Sequence, residues 1–332
     1  MVRRVVYESP GTPADVLRVQ SGGEPASPGS GQLLVRVTTF PIHPGDLMAI
    51  ESADANALRV AGVEATGIVE AVGAGVVKPG VDVGSRVTVF LHPGAWSEYL
   101  TVPSEFAVPV PDGVGTDVAA MMLVNPLTVV MLRRAVEATG AAGYNGVFLQ
   151  SAAGSSVGRL MTAAAEHHGM ALVNLVRTDE GADRLKHSFP ATPVVATSRP
   201  NWPHDVRTLV AGRPLTAALD PVGGRLAGDL LGLLSPGGTL ITYGALAKQP
   251  IALHAATLLG NALTVRGVTI NRWVATTSPE QRDWDVTTAV AIAEALGNAF
   301  VVAGRYPVAD IAAAADHAVR PGKTGTVLVE FD

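Results

Sequence analysis

The chain has 332 residues, 48% hydrophobic and 16% charged, with 36 glycines, 23 prolines and no cysteine. So apolar a composition excludes a disordered chain, and the length allows about two domains, each able to bury its own core. The net charge of −5, with no basic cluster, argues against a nucleic-acid reader, which needs a positive stripe to neutralise phosphates. Without cysteine there are no disulfides, thiolate nucleophiles or cysteine-based zinc sites. No uninterrupted apolar run reaches the roughly 18 residues needed to cross a bilayer. The segment Met1–Glu8 alternates like a first strand and has no leader-like cleavage site. The expected location is the cytoplasm.

Up to about residue 120 the pattern is strand-like. Val-rich segments such as Leu33–Thr39, Gly67–Val72 and Ser85–Phe90 are short and punctuated by Gly and Pro, which predicts an all-β unit with irregular loops. From Val118 the pattern changes. Ala119–Ala138 reads as a helix broken near Asn125-Pro126. Strand Gly146–Gln150, helix Val157–His168 and strand Ala171–Val176 follow. Then come strands at Pro193–Ala196, Thr216–Leu219, Thr239–Tyr243 and Val265–Ile270, with helical stretches such as Arg225–Leu234 between them. Continuous apolar strands alternating with helices predict a parallel sheet covered on both faces. Helices at Val286–Leu296 and Ala309–Val319 and a strand at Thr326–Phe331 complete the chain.

The segment Val147–Gly158 runs from a strand through small residues into a helix. Small side chains there let backbone N–H groups approach a pyrophosphate at the helix N-terminus. Ala153, Ser155 and Gly158 occupy the three glycine positions of G-x-G-x-x-G, so the fingerprint is degenerate, and a plain structural turn is the competing reading. About 20 residues on, the next strand ends at Arg177, where an NAD site would carry a carboxylate; an arginine suits the 2′-phosphate of NADP, or is an ordinary solvated strand end. Gly154–Gly158 also fits G-x-S-x-G, the nucleophile elbow of an α/β-hydrolase, with Asp220 and His254 following in the right order. Against that, the upstream half reads as a separate β unit.

Several segments together resemble the zinc-free medium-chain dehydrogenase/reductases, most closely the trans-2-enoyl-thioester reductases and next the quinone oxidoreductases. Pro41–Asp46 is similar to P-I-N-P-S-D, Gly62–Gly67 to G-x-E-x-x-G, Val124–Thr128 to V-N-P-C-T and Gln150–Gly158 to Q-N-A-x-N-S-G-V-G. Asn174–Arg177 resembles N-V-V-R, Thr242–Pro250 resembles T-Y-G-G-M-A-K-Q-P, and Arg266-Gly267 with Trp273 resembles R-G-F-W-L-S-Q-W. The resemblance implies an α/β chain with a GroES-like catalytic domain (1–121), a Rossmann doubly wound parallel sheet binding NADPH (122–300) and a C-terminal return to the catalytic domain (301–332). Carried over position by position, Asn125, Gly154, Ser155, Ser156, Val157, Gly158, Arg177, Tyr243, Gly244, Ala245, Leu246, Val268, Thr269 and Ile270 line the cofactor. Thr178 and Asp179 stand where the family has a second basic position, which implies weaker 2′-phosphate binding. The resemblance also implies a homodimer through strand Leu263–Ile270, and a small-molecule substrate with neither nucleic acid nor membrane as partner.

The alcohol dehydrogenases of this superfamily bind catalytic zinc through a Cys, a His and a later Cys. The corresponding positions here hold His43, Val63 and Val124. One donor of three cannot hold the ion, so no metal site is expected. A second departure concerns the proton. Enoyl-thioester reductases use a tyrosine between the P-S-D and G-x-E motifs, yet Leu47–Ala61 contains none. His43 and the Thr128 hydroxyl are the candidate replacements, with ordered water, and Trp96 is a candidate wall of the cleft. Two enzyme readings follow, NADPH-dependent reduction of an activated C=C bond (enoyl thioester or enone) and NADPH:quinone reduction. A third reading is a cofactor-binding protein without turnover. Ser52–Val60 and Ile270–Asp285, which would shape the substrate pocket, match nothing specific.

Overall fold

Alternating burial along the strands of the N-terminal third closes them around a single apolar core. In the computed structural model, which describes residues 1–54, 57–140 and 146–331, the strands are β1 (Val2–Tyr7), β2 (Arg18–Gly22), β3 (Gln32–Ile42), β4 (Arg59–Val60), β5 (Glu64–Val72), β6 (Arg86–Phe90), β7 (Tyr99–Pro103) and β8 (Ala107–Pro109). The long strand β3 sends Leu33, Val35 and Val37 inward, where they meet Val69, Val87, Val89 and Val102.

The chain separates into two units, Met1–Val124 with Ala289–Asp332, and Asn125–Thr288. Strands β15 (Val302–Pro307) and β16 (Thr326–Glu330) come from the chain's end and lie in the first unit. There β16 pairs antiparallel with β3, in the order β15-β16-β3-β5-β6-β8 with β7 also on β3, while β2-β1-β4 form a smaller sheet. This unit is not all-β. Helix Pro44–Glu51 starts with Pro44 in its first turn, and the Asp46 carboxylate accepts the His43 N–H at 2.9 Å. The sequence His43-Pro44-Gly45-Asp46 therefore carries a helix-start signal that the strand-like reading passed over.

The second unit is built on β9 (Val147–Gln150), β10 (Leu172–Val176), β11 (Val194–Ala196), β12 (Leu215–Asp220), β13 (Thr239–Thr242) and β14 (Thr264–Gly267). All pairings in this sheet are parallel, in the order β11-β10-β9-β12-β13-β14. That is the doubly wound order 3-2-1-4-5-6, and it places the reversal point between β9 and β12. Leu149, Val173, Leu175, Val195 and Leu240 pack with Trp202, Val206 and Leu230 from flanking helices. The expected strand Val265–Ile270 is shorter than its apolar pattern suggests. It stops at Gly267, and Thr269 caps the helix Ile270–Thr276 by accepting from the Arg272 N–H. The helix expected over Ala119–Ala138, broken or kinked near Asn125-Pro126, is two helices, Thr116–Ala119 and Val124–Glu137; the break falls just before Asn125-Pro126, which lie in the first turn of the second.

One glycine is fixed by packing. Gly62 has φ +85°, and a Cβ there would stand 2.0 Å from the Trp96 ring, which is fully buried. Gly62→Ala should cost about 2 kcal/mol or more of stability, because a rigid indole and a left-handed backbone both oppose the methyl group. Chemical denaturation measures this, and an unchanged midpoint would contradict the packing described.

Candidate active site

The expected cofactor residues collect at the carboxyl ends of the parallel strands, where open α/β sheets bind ligands. Gly154 to Gly158 follow β9, Arg177 follows β10, Tyr243 to Leu246 follow β13 and Val268 to Ile270 follow β14. Asn125 is buried at the start of helix Val124–Glu137. The loop after β9 is tight beneath and open above. A Cβ at Gly158 would meet Ala152 O and Ala153 Cα at 2.7 Å, whereas one at Gly154 would meet nothing within 4 Å. Ser155 caps the helix Ser156–His167 by accepting the Gly158 N–H at 3.1 Å. That helix presents the positive end of its dipole to the loop.

A buried polar frame holds this loop in place. The Gln150 side-chain amide reaches Gly158 O at 2.8 Å, Thr162 Oγ1 at 2.8 Å and Asn174 Oδ1 at 2.6 Å, tying β9 to the helix and to β10. Asp220 accepts from Ser151 Oγ and from the amides of Val222 and Gly223. Its carboxylate is thereby committed to its own loop rather than to a histidine, and the hydrolase arrangement of Ser156, Asp220 and His254 is not supported. The Tyr243 hydroxyl is buried without a hydrogen-bond partner among the described residues. Burial, with the nearby Asp220 charge, raises the pKa of its phenol. An open Gly154, a capped helix start and an orphaned Tyr243 hydroxyl are what a dinucleotide at these strand ends would require.

Arg177 is exposed at the end of β10. Beside it stands a residue that the sequence reading missed. Arg199, beyond β11, donates to Asp179 Oδ1 from Nε at 2.7 Å, and its second nitrogen lies 2.6 Å from the same oxygen. The acid found at the family's second basic position is therefore paired with an arginine 20 residues further on, a distance in sequence that no local pattern bridges.

The first unit holds the proton candidates. Glu64, fully buried, places Oε2 2.6 Å from His43 Nε2, and its Oε1 accepts the N–H groups of Leu123 at 2.9 Å and Val124 at 3.2 Å. Burial works against a charged His43, but the hydrogen bond and charge of Glu64, helped by Asp46, outweigh it and hold the pKa above the ordinary 6.5. Lys323, just ahead of β16, opposes that charge weakly. Burial brings its own ammonium down to about 8. Burial also pushes Asp46 up to about 6, against the His43 charge and N–H.

The other candidates are placed differently. Trp96 is 0% exposed and stacks on Phe40 at 4.9 Å, so it packs the core and does not wall a cleft. Thr128 is half-buried on helix Val124–Glu137 of the second unit. Tyr99 lines a groove of about 560 Å³ with Arg4, Tyr7 and Arg59. Residues 55 and 56, inside the expected substrate segment Ser52–Val60, lie outside the described residues.

Residues 29–112 match the family model of the alcohol dehydrogenase GroES-like domain, and residues 156–285 match that of the zinc-binding dehydrogenases. The chain is 31% identical over 290 residues to the mitochondrial enoyl-[acyl-carrier-protein] reductase of Mus musculus, covering 84% of this chain and 75% of that one. The Caenorhabditis elegans enzyme of the same name is 29% identical over 283 residues, covering 81% and 78%. A mycobacterial structure solved with NADPH superposes with a TM-score of 0.84 at 27% identity, covering 99% of each chain. The Escherichia coli quinone oxidoreductase, also with NADPH, gives a TM-score of 0.84 over 99% of each chain, but at 21% identity it shows the fold alone.

The chain belongs to the medium-chain dehydrogenase/reductase family. Zinc, named in one family description, does not fit the donor set. Val63 and Val124 offer no ligand atoms, and His43 Nε2 is bonded to Glu64. Among the described residues no group of three or more His, Cys, Asp or Glu could hold a metal ion. No helix among them is long and apolar enough to cross a membrane.

The His43–Glu64 contact has a pH signature. Because the folded-state pKa of His43 is raised, its contribution to stability is complete below pH 6.5 and is lost as pH rises through the raised value. Glu64→Gln removes the charge that sustains this, so burial should then win and the His43 pKa should fall. An NMR titration of the His43 ring proton reads it directly, and an unmoved midpoint would rule out Glu64 as the cause.

Proposed function

We propose that this protein is a zinc-independent, NADPH-dependent reductase that saturates an activated C=C bond in an enoyl thioester or enone. The observation that carries the reading is His43 held against Glu64, with its proton retained above the ordinary histidine range. When bound, NADPH supplies the hydride for Cβ. Asn125, Gly154 to Gly158, Arg177, Tyr243 to Leu246 and Val268 to Ile270 are the residues that would hold it. Hydride arrival at Cβ would leave the substrate as an enolate, and His43 gives its proton to Cα of that enolate, which becomes the saturated thioester. Glu64 fixes the imidazole and offsets its charge before the transfer. The Thr128 hydroxyl is a second donor to the enolate oxygen.

Quinone reduction is the second reading. It is favoured by the absence of a tyrosine from Leu47–Ala61, since a quinone needs hydride but can take its protons from water. Side-by-side NADPH oxidation with crotonyl-CoA, a simple enone and a quinone separates the two. His43→Ala should slow enoyl or enone reduction by about 10²-fold or more, the usual scale of general acid catalysis, while quinone turnover falls much less. In the parent enzyme the enoyl rate should decline as pH rises through the raised His43 value, and the variant should lose that step. If both activities and the pH profile survive the substitution, His43 is structural and quinone reduction becomes the leading reading.

The proposed assembly is a homodimer. Strand β14 sits at the edge of its sheet with all four residues exposed, and Leu259 (82% exposed), Val265 and Trp284 (67%) lie exposed on the same unit. An uncovered apolar edge invites pairing with a second copy. Sedimentation at micromolar concentration should give twice the 34.1 kDa chain mass, and a clean monomer would refute the pairing.

A further inference from the structure

The rim of the second unit beside Arg177 holds more charge than the sequence pattern reveals. Strands β10 and β11 pair in parallel with Val176 opposite Ala196, and the pairing continues past both strands. Thr197 N–H donates to Val176 O at 2.8 Å and Ser198 N–H to Arg177 O at 3.0 Å. Two residues beyond Arg177 and one beyond Ser198, Asp179 and Arg199 meet through both guanidinium nitrogens that reach Oδ1. Asp179 is the carboxylate that holds the guanidinium, and Asp183 and Asp205 add a weaker charge from further away.

Standing alone, Asp179 would repel a phosphate beside Arg177. Paired with Arg199, it becomes a tether. We propose that Arg199, held by Asp179, is the second cation of the 2′-phosphate site and, with Arg177, sets the preference for NADPH over NADH. This rests on the NADPH reading above. A ribose 2′-phosphate carries close to two negative charges, and guanidinium forks match its oxygens in pairs. Lone arginines at exposed strand ends are common, whereas two in the segments that follow adjacent parallel strands, one oriented by a carboxylate, make a shaped anion site. On this proposal the expectation of weakened 2′-phosphate binding, drawn from Thr178 and Asp179, is reversed, with the basic group at position 199.

The test uses the full chain and needs no turnover. Calorimetric titration with 2′,5′-ADP and with 5′-AMP isolates the 2′-phosphate, and NADPH and NADH repeat the comparison with the whole cofactor. The unmodified protein should bind 2′,5′-ADP about tenfold or more tightly than 5′-AMP. Arg199→Ala should remove most of that difference while 5′-AMP affinity stays within about twofold, which also shows that the site is still folded. If the parent discriminates but Arg199→Ala binds 2′,5′-ADP unchanged, the role of Arg199 is wrong and the NADPH reading stands. If the parent binds the two nucleotides equally, the NADPH preference fails and the proposal with it.

Discussion

The first unit of this protein depends on one buried carboxylate. Glu64 has no solvent exposure, so its charge must be answered from within, and its two oxygens take different partners. One meets His43 at the end of β3; the other accepts the amides of Leu123 and Val124, where helix Val124–Glu137 begins. A single side chain on β5 thus holds both the proton candidate and the backbone amides of Leu123 and Val124. In zinc-dependent relatives the residue types around this position serve a metal. Here the same place is organised by a hydrogen-bonded acid–imidazole pair, and the valines at 63 and 124 offer a metal nothing to bind.

The nucleotide half follows a different constraint, backbone closeness. Gly158 is required because the helix lies against Ala152 and Ala153, and Gln150, Thr162 and Asn174 lock that approach from below. At Gly154, by contrast, a Cβ would meet nothing within 4 Å. The degenerate fingerprint therefore keeps glycine where atoms would collide and tolerates Ala153 and Ser155 where they would not. The charged rim at Arg177, Asp179 and Arg199 is where the proposed 2′-phosphate specificity would be added to this frame.

Most of the sheet was legible from the sequence because parallel strands buried on both faces read as continuous apolar runs, and β9, β10 and β13 lie within one or two residues of their expected positions. The exceptions have physical causes. β14 was overextended because apolar β-branched residues continue past Gly267, although the Thr269 cap has already begun a helix. Helix Pro44–Glu51 was passed over because its start signal lies within a recognised motif. Trp96 read as a cleft residue, yet a large aromatic that stacks on Phe40 beneath a left-handed glycine is a core residue. Arg199 could not be read at all. Its significance comes from a partner 20 residues earlier, at the start of the helix Asp179–Ser188, and Ser-Arg-Pro carries no such signal.

In the proposed reaction the protein itself delivers a proton to Cα after hydride reaches Cβ. Reduction of crotonyl-CoA with unlabelled NADPH in D₂O tests it most directly, with the saturated product analysed by NMR. The account predicts one deuterium at Cα in a single configuration, because a fixed donor protonates one face of the enolate. A mixture of Cα epimers, or no saturated product while a quinone is reduced under the same conditions, would contradict it.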